Sequence, residues 1–226
     1  IKERDMKRIL PFRALFLLCL MSAVTACTHA PVTTLAPISK DMISTEERKR
    51  PGRYALVVSA DAMTGNTLAA TTTCSIHTYP YDMSQSFVSL AYEATQRVVE
   101  QVDIVDTPRT ALLDEYDAVI HINVVKSRAF YDLIRGLWSS DALAMVEVVS
   151  EVSLLVDGAG YTSPQLTISA NHQAPLGYPC SGIPVAVGEA MEKVSHQTII
   201  LMVESIKAIL DSDGIPKSGI RRAVYL

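Results

Sequence analysis

Leu143-Ala144-Met145-Val146-Glu147-Val148-Val149-Ser150-Glu151-Val152-Ser153-Leu154-Leu155-Val156 is the stretch on which the fold turns. Val146, Val148, Val152, Leu154 and Val156 share one parity, and Glu147, Glu151 and Ser153 share the other. A period of two places successive side chains on opposite faces, so the pattern is that of a strand with one buried face. Tyr116 to Val125 on its N-terminal side repeats the signal: Ala118, Ile120, Ile122 and Val124 fall on one face, Val119, His121, Asn123 and Val125 on the other. Gln165 to His172 places Leu166, Ile168 and Ala170 together, and Asp157-Gly158-Ala159-Gly160 supplies the turn before it. Tyr54-Ala55-Leu56-Val57-Val58-Ser59 is a shorter β-rich run further upstream.

Two segments carry the helical period instead. Phe87, Leu90, Ala91, Ala94 and Val98 predict a helix over about 83–102, with Asp82 and Gln85 as a cap and its return partner. Pro184 opens a second helix whose stripe is Val187, Ala190, Met191, Val194, Ile199, Met202, Val203, Ile206 and Leu210. It ends near Asp211, before Gly214 and Pro216. The polar stretch Asp61 to Asp82 reads either as a loop or as a loop holding an extra strand. The order strand, helix, three strands, helix predicts an α+β fold: a four-stranded sheet with both helices on one face. If successive elements reverse, the two helices run the same way and start at the same end of the sheet.

The first residues have a different character. Lys7, Arg8 and Arg13 make a basic start, Leu15-Phe16-Leu17-Leu18-Cys19-Leu20-Met21 a short apolar run, and Val24-Thr25-Ala26-Cys27 an exit through small residues to a cysteine. The run is far short of the ~20 residues of a membrane-crossing helix and has the length of an export-signal core. Ile1 to Asp5 play no part in such a signal and read as a start-site artefact ahead of Met6. The expected organisation is a signal over 1–26, an anchor and flexible spacer over 27–52, an α+β domain over 53–212 and a C-terminal tail over 213–226. Pro31, Pro37, Pro51 and the run Glu46-Glu47-Arg48-Lys49-Arg50 give the spacer its polar, aperiodic look.

Removing residues 1–26 takes five basic residues (Lys2, Arg4, Lys7, Arg8, Arg13) and two acidic ones (Glu3, Asp5). That leaves 15 basic and 22 acidic, a net charge of −7. A chain of this sign with no basic run is a poor ligand for nucleic acid or for anionic lipid by charge alone. Of four cysteines, Cys19 lies in the signal and Cys27 at its end, so Cys74 and Cys180 remain as an even pair. In an oxidising compartment they are expected to join, the alternative being two buried free thiols. Cys74 precedes the first helix and Cys180 the second, so the bond would tie the two helix starts. His77 and His172 have no ligand-like spacing with either cysteine, which argues against a metal site.

Val24-Thr25-Ala26-Cys27 resembles a bacterial lipobox: an aliphatic residue, two small residues and the cysteine. The resemblance implies cleavage before Cys27, a diacylglyceryl thioether on its sulfur and a third acyl chain on the new amino terminus. Two or more chains make a stable anchor. The residue after Cys27 is Thr28 rather than Asp, which by the enteric pattern favours the outer membrane, periplasmic face. With its proline-bearing spacer and element order, the chain is similar in topology to the small lipoproteins that assist envelope assembly and transport, the LptE-like and TolB N-terminal-like layouts among them. That resemblance covers about 54–210, rests on no signature motif and transfers no functional residue. It implies a scaffold that docks on other envelope proteins.

Motifs of catalysis and of cofactor binding are missing from the sequence: no GxSxG, phosphate loop, HExxH or paired CxxC. His29, His121, His172 and His196 are scattered, and Glu147 with Glu151 reads as the exposed face of a half-buried strand. Ala129-Phe130-Tyr131-Asp132-Leu133-Ile134-Arg135-Gly136-Leu137-Trp138, between two strands, holds the residue types that anchor interfaces, with Phe130, Tyr131, Arg135, Leu137 and Trp138 foremost. It would serve as a contact surface or fold back as a cap on the core. Ile199 to Val203 are apolar nearly all round the second helix, either because loop 61–82 covers them or because a dimer or partner does. The expectation is a lipid-anchored periplasmic binding protein, not an enzyme, with no cofactor. The alternatives are a lipid or small-molecule carrier and an envelope hydrolase.

Overall fold

The computed structural model describes residues 32, 35–37, 49–71, 74–75, 77–106, 115–136, 139–156, 159–178, 180–211 and 221–223. The proposed signal, Cys27, the Leu137-Trp138 pair and most of the tail lie outside them. The strands are β1 (Arg50–Ser59), β2 (Thr64–Asn66), β3 (Leu68–Ala69), β4 (Pro80–Asp82), β5 (Val99–Ile104), β6 (Ala118–Arg135), β7 (Ser140–Val156), β8 (Ala159–Thr162), β9 (Leu166–Pro175) and β10 (Arg221–Ala223). The helices are α1 (Ser84–Thr95) and α2 (Gly182–Asp211).

The four predicted strands form the centre of the sheet, in the order β1-β6-β7-β9. The sheet is larger than the four strands expected: eight join it. β5 lies parallel to β1 on its outer edge, β3 pairs with β6 at Phe130 and Tyr131, β8 continues the β9 edge of β7, and β10 pairs with β8. β2 and β4 form a separate ribbon inside the 61–82 stretch. Both helices pack on one face, where Leu56, Ile120, Val148 and Val152 meet Phe87 and Leu90 of α1 and Val187, Val194 and Ile199 of α2 in one core. The opposite face has a small cluster of its own, Ala55, Val57, Tyr116 and Val119. Arg53 holds Tyr116 over that face, its guanidinium 4.7 Å from the ring centroid and 2.8 Å from the Asp103 carboxylate.

Three boundaries differ from those read in sequence. α1 stops at Thr95, not near 102, and Val99–Ile104 is a strand. Val99 and Val102 are its buried residues, a spacing of three that prolongs the helical stripe of Ala91, Ala94 and Val98. β6 does not end at Val125. A bulge between Val124 and Lys126 leaves exposed Val125 as the extra residue, after which the inward residues become Ala129 and Tyr131. A bulge shifts the alternation by one, so a strict period-two reading stops there. At the start of α1, Asp82 accepts hydrogen bonds from the Ser84 amide at 3.2 Å and the Ser84 hydroxyl at 2.6 Å, and Gln85 is not the return partner.

Chain direction gives the domain two poles. β5 and β6 run parallel to β1, and β7 runs antiparallel to β6 and to β9. Each helix therefore runs back against β1. The helix ends meet the start of β1, where Asp211 pairs with Arg50. The start of α2 lies with the β6–β7 hairpin turn, where the Leu176 amide donates to the Ser140 carbonyl at 2.9 Å, whereas α1 starts at the end of β1, with Ser84 and Gln85 beside Val58 and Ala60. Cys74 and Cys180 are joined at the turn pole, with Cα atoms 6.2 Å apart, as the sequence predicts, but the bond ties the start of α2 to the β3–β4 connection and not, as expected, to the start of α1.

Candidate functional site

The outer face of the sheet, away from the helices, carries Phe130, one of the residues that the sequence marks for contact. Alternation on β6 separates two neighbours. Phe130 lies on the outer face, cross-strand from Met145 on β7 and Leu68 on β3, with Met145 and Leu68 each more than half exposed. Tyr131 points the other way and is 1% exposed, its ring edge-on to Tyr79 at 5.5 Å. Burial takes Tyr131 off any contact surface. Arg135 and Ile134 are exposed close to the hairpin turn. Leu137 and Trp138 lie outside the described residues, as does Cys27. Of the rows flanking the Phe130 pair, one is charged on both strands, Arg128 facing Glu147, and the other is mixed, Asp132 facing Leu143. Cross-strand neighbours of this kind make a small apolar island with a charged rim.

Further along the same face, β1, β6 and β7 align polar groups that sequence periodicity alone did not connect. His121 Nε2 lies 3.0 Å from the Ser59 hydroxyl. Asn123 donates to one oxygen of Glu151 at 3.0 Å, and Gln165 approaches the other at 3.4 Å. A serine and a histidine at this distance are two parts of a nucleophile pair. Here both stand on the pleated face of a sheet, and the Glu151 oxygens are engaged by amides. The signal that would have found the pair is the parallel register Val57↔His121 and Ser59↔Asn123, which is a tertiary fact. Burial holds the His121 imidazole below its ordinary 6.5, with the nearby Glu151 carboxylate pulling the other way. Since the folded value is the lower one, His121 contributes full stability above the unfolded value, and this is lost as pH falls through the folded value. Urea unfolding at about pH 7.5 and about pH 5 should show a loss on acidification that is smaller in His121→Gln. An equal loss in both proteins would mean that His121 is solvated.

Among the described residues no group of three His, Cys, Asp or Glu side chains is placed to hold a metal ion. No helix of the described residues is long and apolar enough to cross a membrane. A cleft of about 510 Å³ opens at the helix-end pole, lined by Lys49, Arg50, Arg97, Lys207 and Asp211. Cations there face two helix C-termini, where they complement the helix dipoles.

The expected flexible spacer over 27–52 is corrected in two places. Arg50 to Gly52 belong to β1. Val32 pairs with Tyr81, its amide donating to Pro80 O at 3.3 Å and its carbonyl accepting from the Asp82 amide at 2.9 Å. Leu35 packs against the core, and Ala36 O lies 2.9 Å from His196 Nε2. Apolar Val32 and Leu35 at a spacing of three, among prolines and threonines, were too sparse to read as a packed segment.

No family description matches the chain, and no curated protein does. Solved structures with a similar course do exist. A Xanthomonas campestris protein of the DUF330 family is 11% identical, with 82% of this chain and 99% of that one covered and a TM-score of 0.45. A minor lipoprotein from Acinetobacter baumannii is 11% identical over 74% of this chain and 95% of its own, with a TM-score of 0.33. The rare lipoprotein B from Shewanella oneidensis is 13% identical over 71% and 94%, with a TM-score of 0.32. At these identities the functional reading rests on the chain's own residues.

Proposed function

We propose that the chain is a lipid-anchored envelope protein that works by binding other envelope proteins, at the periplasmic face of the outer membrane. The observation that carries this reading is how the four cysteines divide. Cys74 and Cys180 form the disulfide that ties the β3–β4 connection to the start of α2, a bond suited to an oxidising compartment. Cys19 sits in the apolar run of the signal, which leaves Cys27 to end the lipobox and take the acyl chains. The contact surface in this reading is the outer sheet face around Phe130, Met145 and Leu68, whose apolar centre and charged rim fit a small protein interface.

Two measurements test it. Intact-mass analysis of the natural product should show a chain starting at Cys27 and carrying acyl groups. A photocrosslinker placed at Met145 should trap a defined envelope protein from membranes, and Phe130→Asp should abolish that adduct. A bare thiol at position 27 would defeat the anchor, and an adduct pattern unchanged by Phe130→Asp would defeat the contact face.

A further inference from the structure

We infer that the pole carrying the disulfide and the β6–β7 turn rests against the lipid headgroups, held there by a leash of five residues. This rests on the lipid anchor at Cys27 proposed above. The segment that follows the anchor is fixed at two points along α2. Val32 lies against Gly188: a Cβ built at Gly188 would sit 3.3 Å from Val32 Cγ1. Four residues on, Ala36 meets His196. Gly188 and His196 are eight residues apart on α2, about 12 Å of helix. Four extended residues span about 13 Å. From Val32 to Ala36 the chain therefore advances in the same direction as α2, with Val32 the end nearer the start of α2.

Cys27 precedes Val32 by five residues, a reach of at most about 17 Å. Asp211, at the other end of α2, is 23 residues beyond Gly188, about 35 Å away. A lipidated Cys27 can reach the disulfide pole and cannot reach the helix-end pole. The bilayer surface must then lie at the near pole.

That pole has the surface such a position calls for. Tyr178, in the turn between β9 and α2, is 93% exposed, and Val185 in the first turn of α2 is 55% exposed. Ile134, near the end of β6, is 42% exposed. A tyrosine beside aliphatic residues is suited to the boundary between headgroups and acyl chains. At the opposite pole the cleft is lined by Lys49, Arg50, Arg97, Lys207 and Asp211, and it would face the periplasm.

The test uses the full lipidated protein in phosphatidylethanolamine/phosphatidylglycerol vesicles containing nitroxide-headgroup lipid. A fluorophore is attached through Tyr178→Cys in one sample and Glu204→Cys, near the far end of α2, in another, with the Cys74–Cys180 bond kept oxidised. Quenching should be several-fold stronger at 178 than at 204. Equal or reversed quenching in protein whose mass shows acylated Cys27 would overturn the inference and leave the anchor standing. An unacylated Cys27 would remove the anchor and this inference together. Inserting about twenty Gly/Ser residues between Cys27 and Val32, a root-mean-square reach of about 25 Å, should erase the difference between the two positions. A difference that survives the insertion would overturn the leash as its cause.

Discussion

Replacing Cys74 and Cys180 with alanine should destabilise the domain by about 4 to 5 kcal/mol, measured as the shift in urea unfolding against the oxidised protein. The two cysteines are 106 residues apart in sequence, and closing a loop of that order removes about 4.7 kcal/mol of unfolded-chain entropy in the loop-closure model. The bond also holds the β3–β4 connection on the start of α2, so its loss should loosen that pole first. Both half-cystines have left-handed backbones, with φ of 63° at Cys74 and 65° at Cys180. Alanine keeps the cost of that conformation and glycine does not. The glycine pair should therefore unfold at higher urea than the alanine pair, by about 1 kcal/mol per site. A loss under ~1 kcal/mol in both pairs would mean that packing alone holds the β3–β4 connection on the start of α2.

The disulfide was legible because the cysteine count left one free pair; that it would join two helix starts was not, because the β2–β4 ribbon separates Cys74 from the start of α1. The central strands were legible for the same local reason, a buried and a solvated face along Val146 to Val156 and Ala118 to Val124. What escaped was whatever departed from one period. β5 is an edge strand whose buried Val99 and Val102 copy helical spacing. β6 changes parity at Val125, which made its second half look like an apolar connection. The Ser59–His121 contact and the docking of Val32 on β4 bring together residues 62 and 49 apart, and no local pattern encodes either. In the segment marked for contact, composition drew attention to the residues, while the bulge decides which of them face outward.

That parity change gives the second large effect, because it predicts opposite behaviour for adjacent residues. Tyr131→Ala should cost about 3 to 5 kcal/mol, the range for removing a large aromatic from a core, while Phe130→Ala should cost about 1 kcal/mol or less. Tyr131 is 1% exposed and packs on Tyr79, whereas Phe130 lies on the outer face beside exposed Met145. Tyr131→Phe should be neutral or slightly stabilising, since its buried hydroxyl has no hydrogen-bond partner among the described residues. A second readout follows the phenol of Tyr79. Burial, then the neighbouring Tyr131, push its pKa up to about 12. Opening the core in Tyr131→Ala should bring it back toward 10.0, visible as earlier alkaline absorbance in the ultraviolet. If Tyr131→Ala instead leaves stability and the Tyr79 titration unchanged, β6 does not carry the bulge at Val125 and the Phe130 face is the wrong one. The same measurement therefore checks the register on which the proposed contact surface depends.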